Sequence, residues 1–347
     1  MVKAKVWVVA AAMVLVAFGA MASNFRVADQ VYVPIAGHVQ GGSSLFVSDI
    51  FISNLVNEAV QVSVIYGPQN GKGNFTKFAN RINLAANERK EIIDFFPTIL
   101  PEVSTPFGVL VFSACKNGGN CDPKTCGGDG TECADFRPIS VESRIYAVPC
   151  LGGTGCPTST PATAASNGQD MPGIPWYNYV SSSEDTAGLS QVFITGFRSN
   201  AGYRSNLGVV NASQYSSTQV TATLRDGATG NSLGQKTFSL APLSFEQPNI
   251  ATIFPSVGSG TNLYVELQQG ASTPTADAAA NGCGDDGCPA YLAFGSVLDN
   301  QTSDPTTLES QYKQALTNAQ IGCIYTPAIA GCTFKTGDKI LRRAASH

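Results

Sequence analysis

The sequence predicts an all-β protein made of two tandem antiparallel β-sandwiches, with an export signal in front and a short C-terminal helix behind. Three observations predict it. The 347 residues carry only 13% charged side chains, against about 25% on average. With them come 35 Gly and 19 Pro spread along the chain, a composition that suits many short strands joined by turns. Finally, the stretch Ser205-Asn206-Leu207-Gly208-Val209-Val210-Asn211 is echoed by Ser48-Asp49-Ile50-Phe51-Ile52-Ser53-Asn54, with the same polar pair, apolar-rich middle and closing Asn. Similar features recur in the same order around each copy, and the length admits two domains.

Residues 1–22 read as a signal peptide. Lys3 and Lys5 precede an apolar run from Val6 to Phe18, and Ala20-Met21-Ala22 supplies the small residues of a cleavage site before Ser23. The run is too short for a spanning helix with proper flanks. No Cys follows the cut, so no lipoprotein anchor is expected, and no second long apolar run holds the mature chain in a membrane. Loss of the leader leaves 19 basic against 25 acidic residues. A nucleic-acid partner needs a basic stripe, and the one basic cluster, Lys335, Lys339, Arg342 and Arg343, is a terminal tail. Nucleic acid is therefore excluded as a partner.

The first sandwich is placed at 23–147. Its strands are expected at Val31–Ile35, Leu45–Ser53, Val60–Tyr66, Arg81–Leu84, Arg89–Asp94, Gly108–Ser113 and Ile139–Tyr146. Val60, Val62 and Val64 alternate with Gln61 and Ser63, the period of a half-buried strand. Phe95-Phe96-Pro97 predicts a helical turn over the end of the sandwich. The second sandwich, 189–307, repeats the order: Val220 to Leu224 carries the alternation, Leu240-Ala241-Pro242 answers Leu84-Ala85-Ala86, and Asn249 to Pro255 answers Ile92 to Pro97. A Gly- and Cys-bearing insertion separates the last two strands in both copies, at 115–133 and 270–289. About seven short strands per copy with regular turns fits an antiparallel sandwich of the immunoglobulin kind.

Several segments in one order carry a resemblance. They are Gly188-Leu189, Gly202 to Asn211, Leu224-Arg225-Asp226-Gly227, and Ser296 to Asn300 with Asp304-Pro305. The chain resembles exported bacterial proteins built of tandem immunoglobulin-like β-sandwiches, over roughly residues 30 to 307. The resemblance implies that fold and an exported life, and it brings no known active site.

Residues 148–188 read as a linker and 308–347 as a C-terminal extension. Within the linker, Trp176, Tyr177 and Tyr179 lie in Met171-Pro172-Gly173-Ile174-Pro175-Trp176-Tyr177-Asn178-Tyr179. Three rings so close could stack on sugars, and they are the candidate ligand-binding residues; the plainer reading has Trp176 and Tyr179 filling the seam between sandwiches. Beyond it, Asp304 is placed to cap a helix with Pro305 at its first position and Leu308, Tyr312, Ala315 and Ala319 on one face.

The ten cysteines fall in close sets: Cys115, Cys121, Cys126 and Cys133; Cys150 and Cys156; Cys283 and Cys288; Cys323 and Cys332. An even count in Gly-rich loops of an exported chain argues for local disulfides, the first four leaving three connectivities open. Zinc prefers closer ligand pairs than their gaps of five, four and six residues provide. Calcium is the other metal to weigh. Asp285, Asp286 and Asp299 offer hard oxygen on turns, yet without the spacing of a dedicated loop, and solvated turn carboxylates are the plainer reading. No cofactor is expected.

Only His38 and His347 could serve as a histidine base, and triad chemistry needs that base within reach of a nucleophile. His38 lies in a Gly-rich turn and aligns with Arg198 of the other copy. The function expected is thus a non-catalytic secreted, extracellular or periplasmic surface protein of the binding or structural kind, contacting glycans or other surface proteins. A filament subunit would exchange residues 23–35 by strand pairing. The alternative is a secreted hydrolase with an unrecognised site.

Overall fold

A computed structural model of the chain describes residues 27–41, 44–69, 73–104, 106–119, 135–149, 168–178, 180, 191–214, 216–274, 290–302 and 304–312. The leader, nine of the ten cysteines, Asp285, Asp286, Tyr179 and the segment 313–347 lie outside the described residues.

The strands are β1 (Gln30–Gly41), β2 (Ser44–Asn54), β3 (Val60–Pro68), β4 (Thr76–Leu84), β5 (Arg89–Ile92), β6 (Phe107–Lys116), β7 (Ile139–Pro149), β8 (Gly168–Pro172) and β9 (Ile174–Pro175), with a helical turn α1 (Phe95–Ile99) after β5. They continue as β10 (Gln191–Ser199), β11 (Tyr203–Asn211), β12 (Ser216–Asp226), β13 (Ser232–Leu240), β14 (Phe245–Glu246), β15 (Gly260–Pro274), β16 (Tyr291–Asp299), β17 (Pro305–Glu309) and β18 (Gln311–Tyr312), with α2 (Ile250–Ile253) after β14. All strand pairs between them are antiparallel.

The strand order is the same twice. Sheet B runs β4-β3-β6-β1-β9 and sheet D runs β13-β12-β15-β10-β18. In sheet A, β2 lies between β5 and β7, with β8 outside β7; in sheet C, β11 lies between β14 and β16, with β17 outside β16. β1 serves both sheets of its half, pairing with β6 up to Gly37 and with β2 from His38 onward. Ile50 and Leu207 stand on the equivalent strands β2 and β11, and each is fully buried in a different cluster.

The repeated heptapeptide owes its spelling to two polar side chains. Ser48 Oγ accepts the Gly37 N–H at 2.9 Å, and Ser205 Oγ accepts the Arg198 N–H at 3.0 Å; each hydroxyl ties the first strand of its half to the second. At the other end, Asn54 donates to the carbonyls of Glu58 and Ala85 while accepting the Val56 N–H. Asn211 donates to those of Ser216, Leu240 and Ala241 while accepting the Ser213 N–H. One amide therefore clamps two turns, satisfying buried backbone groups that would otherwise cost about 1–3 kcal/mol apiece.

Two segments differ from the sequence reading. The stretch taken as a linker contains β8, an edge strand on β7, and β9, which pairs with β1. Residues 305–312, the described part of the segment expected to form a helix after Asp304, are extended instead: β17 pairs with β16 and β18 with β10, as β8 and β9 do in the first half. The open edge of β16 needs hydrogen-bond partners, which a helix cannot give. Pro305 begins an edge strand, where its missing N–H costs little, and Thr306 and Thr307 suit an extended chain. The strand-exchange idea also meets an obstacle, since β1 lies inside sheet B rather than at its edge.

The two halves meet face to face. Val31, Val33, Leu110, Phe112 and Val64 point from sheet B into the first core, whereas Tyr32, Val109, Val111 and Ile65 point the other way and are still buried, at 0–3% exposure. The outward side of sheet C, with Val210, Phe245, Leu292 and Phe294, belongs to the same apolar cluster. The Tyr32 hydroxyl donates to the Ala212 carbonyl at 3.1 Å, and the Phe107 and Phe245 rings lie 5.8 Å apart. Gly67 is required here, because a Cβ would stand 2.0 Å from the Leu243 carbonyl oxygen.

Leu243 adopts φ 49° and is 1% exposed. Its counterpart Asn87 has the same backbone sign, φ 56°, in an exposed turn. Asn tolerates this conformation and Leu does not, at a cost of roughly 1 kcal/mol; burying a leucine side chain gains about 1.5–3 kcal/mol. The seam therefore holds Leu243 where the turn alone would choose Asn. Leu243→Asn is expected to lower stability by about 1–3 kcal/mol in urea unfolding, and a variant more stable than wild type would show that the turn, not the seam, dominates.

Candidate functional site

The residues singled out from sequence divide sharply. Trp176 opens a single 3-10 turn after β9, is 4% exposed, and donates its indole N–H to Asp29 Oδ1 at 2.7 Å. It is a packed core residue of the first half, so the stacking role proposed for it fails on burial. Nothing is described of the Tyr177 side chain, and Tyr179 lies outside the described residues. Asp299 spends its carboxylate on the backbone N–H groups of Gln301, at 2.7 Å, and Thr302, at 3.2 Å. That is a turn brace, and it accounts for an Asp at this position without a cation. Among the described residues no three His, Cys, Asp or Glu groups converge to hold a metal ion. Cys115, fully buried at the end of β6, is the one cysteine among them.

Sequence reading left His38 in a turn; the fold puts it on β1 beside Asp94. Its Nδ1 lies 2.7 Å from Asp94 Oδ1, with 18% of the imidazole side chain and 8% of the Asp94 side chain exposed. The Asp94 N–H donates to Asp49 Oδ1 at 2.9 Å, and the Tyr146 hydroxyl donates to the same oxygen at 3.1 Å. Arg144 covers the Tyr146 ring, 5.0 Å from its centroid. Desolvation pushes the Asp49 carboxyl above its usual range, against the Asp94 N–H, the Tyr146 hydroxyl and Arg144, which favour the anion. Burial, then the charge of Asp49, pushes the Tyr146 phenol upward as well.

The second half serves as a built-in control. Because Gly37 and Arg198 make the same bond to their serines, His38 corresponds to Ser199, not to Arg198. Asp49 corresponds to Asn206, and strand register matches Tyr146 with Leu298. At the helical turns, the N-cap Asn249 is extended at φ −68° and accepts the Ala251 N–H. Its counterpart Asp94 sits at φ 48° and makes no side-chain cap bond. The first half thus gives up a cap worth about 1 kcal/mol and accepts a left-handed aspartate, all to aim one carboxylate at His38.

A second feature is a groove of about 460 Å³ where the halves meet at the β8–β9 corner. Pro34, Met171, Ile174, Leu292 and Phe294 give it an apolar wall, with Asn178, Thr307, Glu309 and Gln311 as polar groups. Its volume lies within the range of small-ligand sites. Partial desolvation raises the Glu309 carboxyl pKa. The groove is held open by two cross-seam bonds, Thr307 Oγ1 to the Asp170 carbonyl at 2.6 Å and Ser296 Oγ to Gln169 Oε1 at 3.0 Å. Its residues come from opposite ends of the chain, and no local motif could have announced it.

No protein-family model matches the chain, and no curated protein matches it. Among solved structures it is similar to Bacteroides uniformis β-glucuronidase 2, at 12% identity and TM-score 0.14, covering 81% of this chain and 25% of that one. It is also similar to a lectin from Pleurotus ostreatus in complex with GalNAc, at 10% identity and TM-score 0.16, covering 83% and 76%. The CupB6 tip adhesin of Pseudomonas aeruginosa gives 9% identity and TM-score 0.14, covering 85% and 100%. The chain spans a quarter of the glucuronidase.

Two outcomes are expected. Asp49→Asn keeps an oxygen for both donors and removes a desolvated anion. Since the folded carboxyl pKa lies above the unfolded value, the penalty is full at neutral pH, fades as pH falls through the raised pKa and is gone below the unfolded value. The variant should therefore melt higher than wild type at pH 7, with the gap closing in acid; a gap that widens in acid would contradict the shift. Trp176→Ala should cost about 3–5 kcal/mol of stability, read by chemical denaturation, and a normally stable variant would return Trp176 to the surface.

Proposed function

We propose that this chain is a non-catalytic exported protein, a tandem of immunoglobulin-like sandwiches that works at the cell surface or outside the cell by binding or scaffolding, with surface glycans or other surface proteins as its contacts. The observation that supports binding is the groove at the seam, with an apolar wall, polar groups along its lining and a volume suited to one or two sugar rings or a short peptide turn. The reading gives the leader, the cysteine sets and the low charge one explanation: a chain that leaves the cytoplasm and staples its loops afterwards.

The test begins with expression from the full sequence in a bacterial host. The exported product should start at Ser23, carry no free thiol, and be retained on a panel of immobilised glycans or on cell envelopes. Ser310 lines the same groove, so Ser310→Trp, which fills it, should lose that retention with an unchanged melting curve. A chain left unprocessed with reactive thiols, or one retained equally with the groove filled, would defeat the proposal.

One observation favours the hydrolase alternative. The His38–Asp94 pair leaves Nε2 of the imidazole as a candidate base, oriented by an aspartate in the left-handed conformation that the second half lacks. Hydrolysis of a glycan or peptide panel that disappears in His38→Ala, with stability unchanged, would establish it.

A further inference from the structure

The seam joins the outward side of sheet B to the outward side of sheet C, and each has a counterpart at the far ends of the molecule. Sheet D is the counterpart of B, and sheet A of C. Strand register matches the positions one to one. The row Tyr32–Val111–Ile65 of sheet B answers the row Phe193–Glu266–Thr223 of sheet D. The next outward position pairs Gly67 with Val109 in the first half and Arg225 with Tyr264 in the second. In sheet C the row is Phe245–Val210–Leu292, and its equivalent in sheet A is Arg89–Ser53–Ser140. One step along, Phe294 beside Gly208 becomes Glu142 beside Phe51.

At six of these positions the substitution runs from apolar to polar, while Tyr32 and Gly208 are answered by the aromatic rings of Phe193 and Phe51. Val111, Ile65, Val210, Phe245, Leu292 and Phe294 are all buried in the seam. Their counterparts Glu266, Thr223, Ser53, Arg89, Ser140 and Glu142 are polar or charged; Arg89 is exposed, Thr223 is buried at 8%, and the other four are half-buried. Gly67, which admits the Leu243 carbonyl, is replaced by Arg225, whose Nε donates to Glu266 Oε2 at 2.5 Å. Arg89 lies over the Phe51 ring, its guanidinium 5.6 Å from the centroid. The side chains that would have to be desolvated for another half to stack are therefore an ion pair at one end and a cation over a ring at the other.

A contact in which one face of a unit meets a different face of the next is heterologous, and when its rotation does not close it grows into a fibre. Stacked-repeat proteins stop by giving their terminal units polar outer faces. We infer that the seam is such a head-to-tail interface and that the outer faces of sheets D and A are its blocked ends, so that the partner this surface is built to exclude is a second copy of the same chain. The block sits at Thr223, Arg225 and Glu266 on one end and at Ser53, Arg89 and Ser140 on the other. This inference stands apart from the function proposed above, since it needs neither a ligand in the groove nor export.

The test restores the seam residues to each end of the full chain. One variant carries Thr223→Ile, Arg225→Gly and Glu266→Val; the other carries Ser53→Val, Arg89→Phe and Ser140→Leu. Wild type should be monomeric by light scattering at all concentrations tried. Each variant alone should also be monomeric, while an equimolar mixture should reach twice the monomer mass, and both sets in one chain should give oligomers that lengthen with concentration. Near-UV circular dichroism reports folding; if a triple variant is unfolded, Glu266→Val is mixed with Ser53→Val and the doubled mass sought at higher concentration. Association of wild type abolished by a change at either end, self-association of one variant as strong as in the mixture, or folded variants that never associate would each overturn the inference.

Discussion

The contact on which the structure depends is the meeting of sheets B and C across the seam. A sheet in a two-layer sandwich ordinarily buries one face and wets the other. Here sheet B buries both, and that requirement reaches far into the chain. It puts Tyr32, Val109, Val111 and Ile65 at positions whose alternation should have been polar. It demands glycine at Gly67, where the other half's backbone passes, and it holds Leu243 in a backbone conformation suited to Asn. Groups that no local rule would choose are kept because apolar burial across the seam outweighs their individual costs.

The repeated strand order supplies the comparison that separates what both halves share from what one half alone carries. Ser48 with Ser205, and Asn54 with Asn211, do the same work in both halves and so belong to the architecture. The His38–Asp94–Asp49–Tyr146 network occurs once. Where the second half has amides and a normally capped helical turn, the first has carboxylates, one desolvated and one at positive φ. Neither the ladder hydrogen bonds nor the core of the first half demands these groups.

Much of the architecture was legible because its signals are local. Period-two alternation marked Val60 to Val64, turn residues bounded the strands, and the two heptapeptides fixed equivalent strands. The misreadings share a cause. The helix expected after Asp304 had good caps, but the open edge of β16 claimed the segment, and an unpaired edge cannot be seen from the residues that will cover it. Trp176 had two readings, sugar stacking and filling the seam, and its partner Asp29 could not be seen because it lies 147 residues away in the chain. His38 was set against Arg198, one residue out of register, because the correspondence is fixed by the serine bonds of Gly37 and Arg198, which are contacts between strands.

By itself the sequence determined an all-β chain, its repeated strand order and the residues that spell the repeat, since each of these follows from side-chain periodicity and turn chemistry within a few residues. Tertiary structure alone decided which sheet faces are buried twice, where the groove opens and which carboxylate meets the histidine. These depend on the register and stacking of strands far apart in the chain, and a single residue of slip turns every side chain of a strand to its other face.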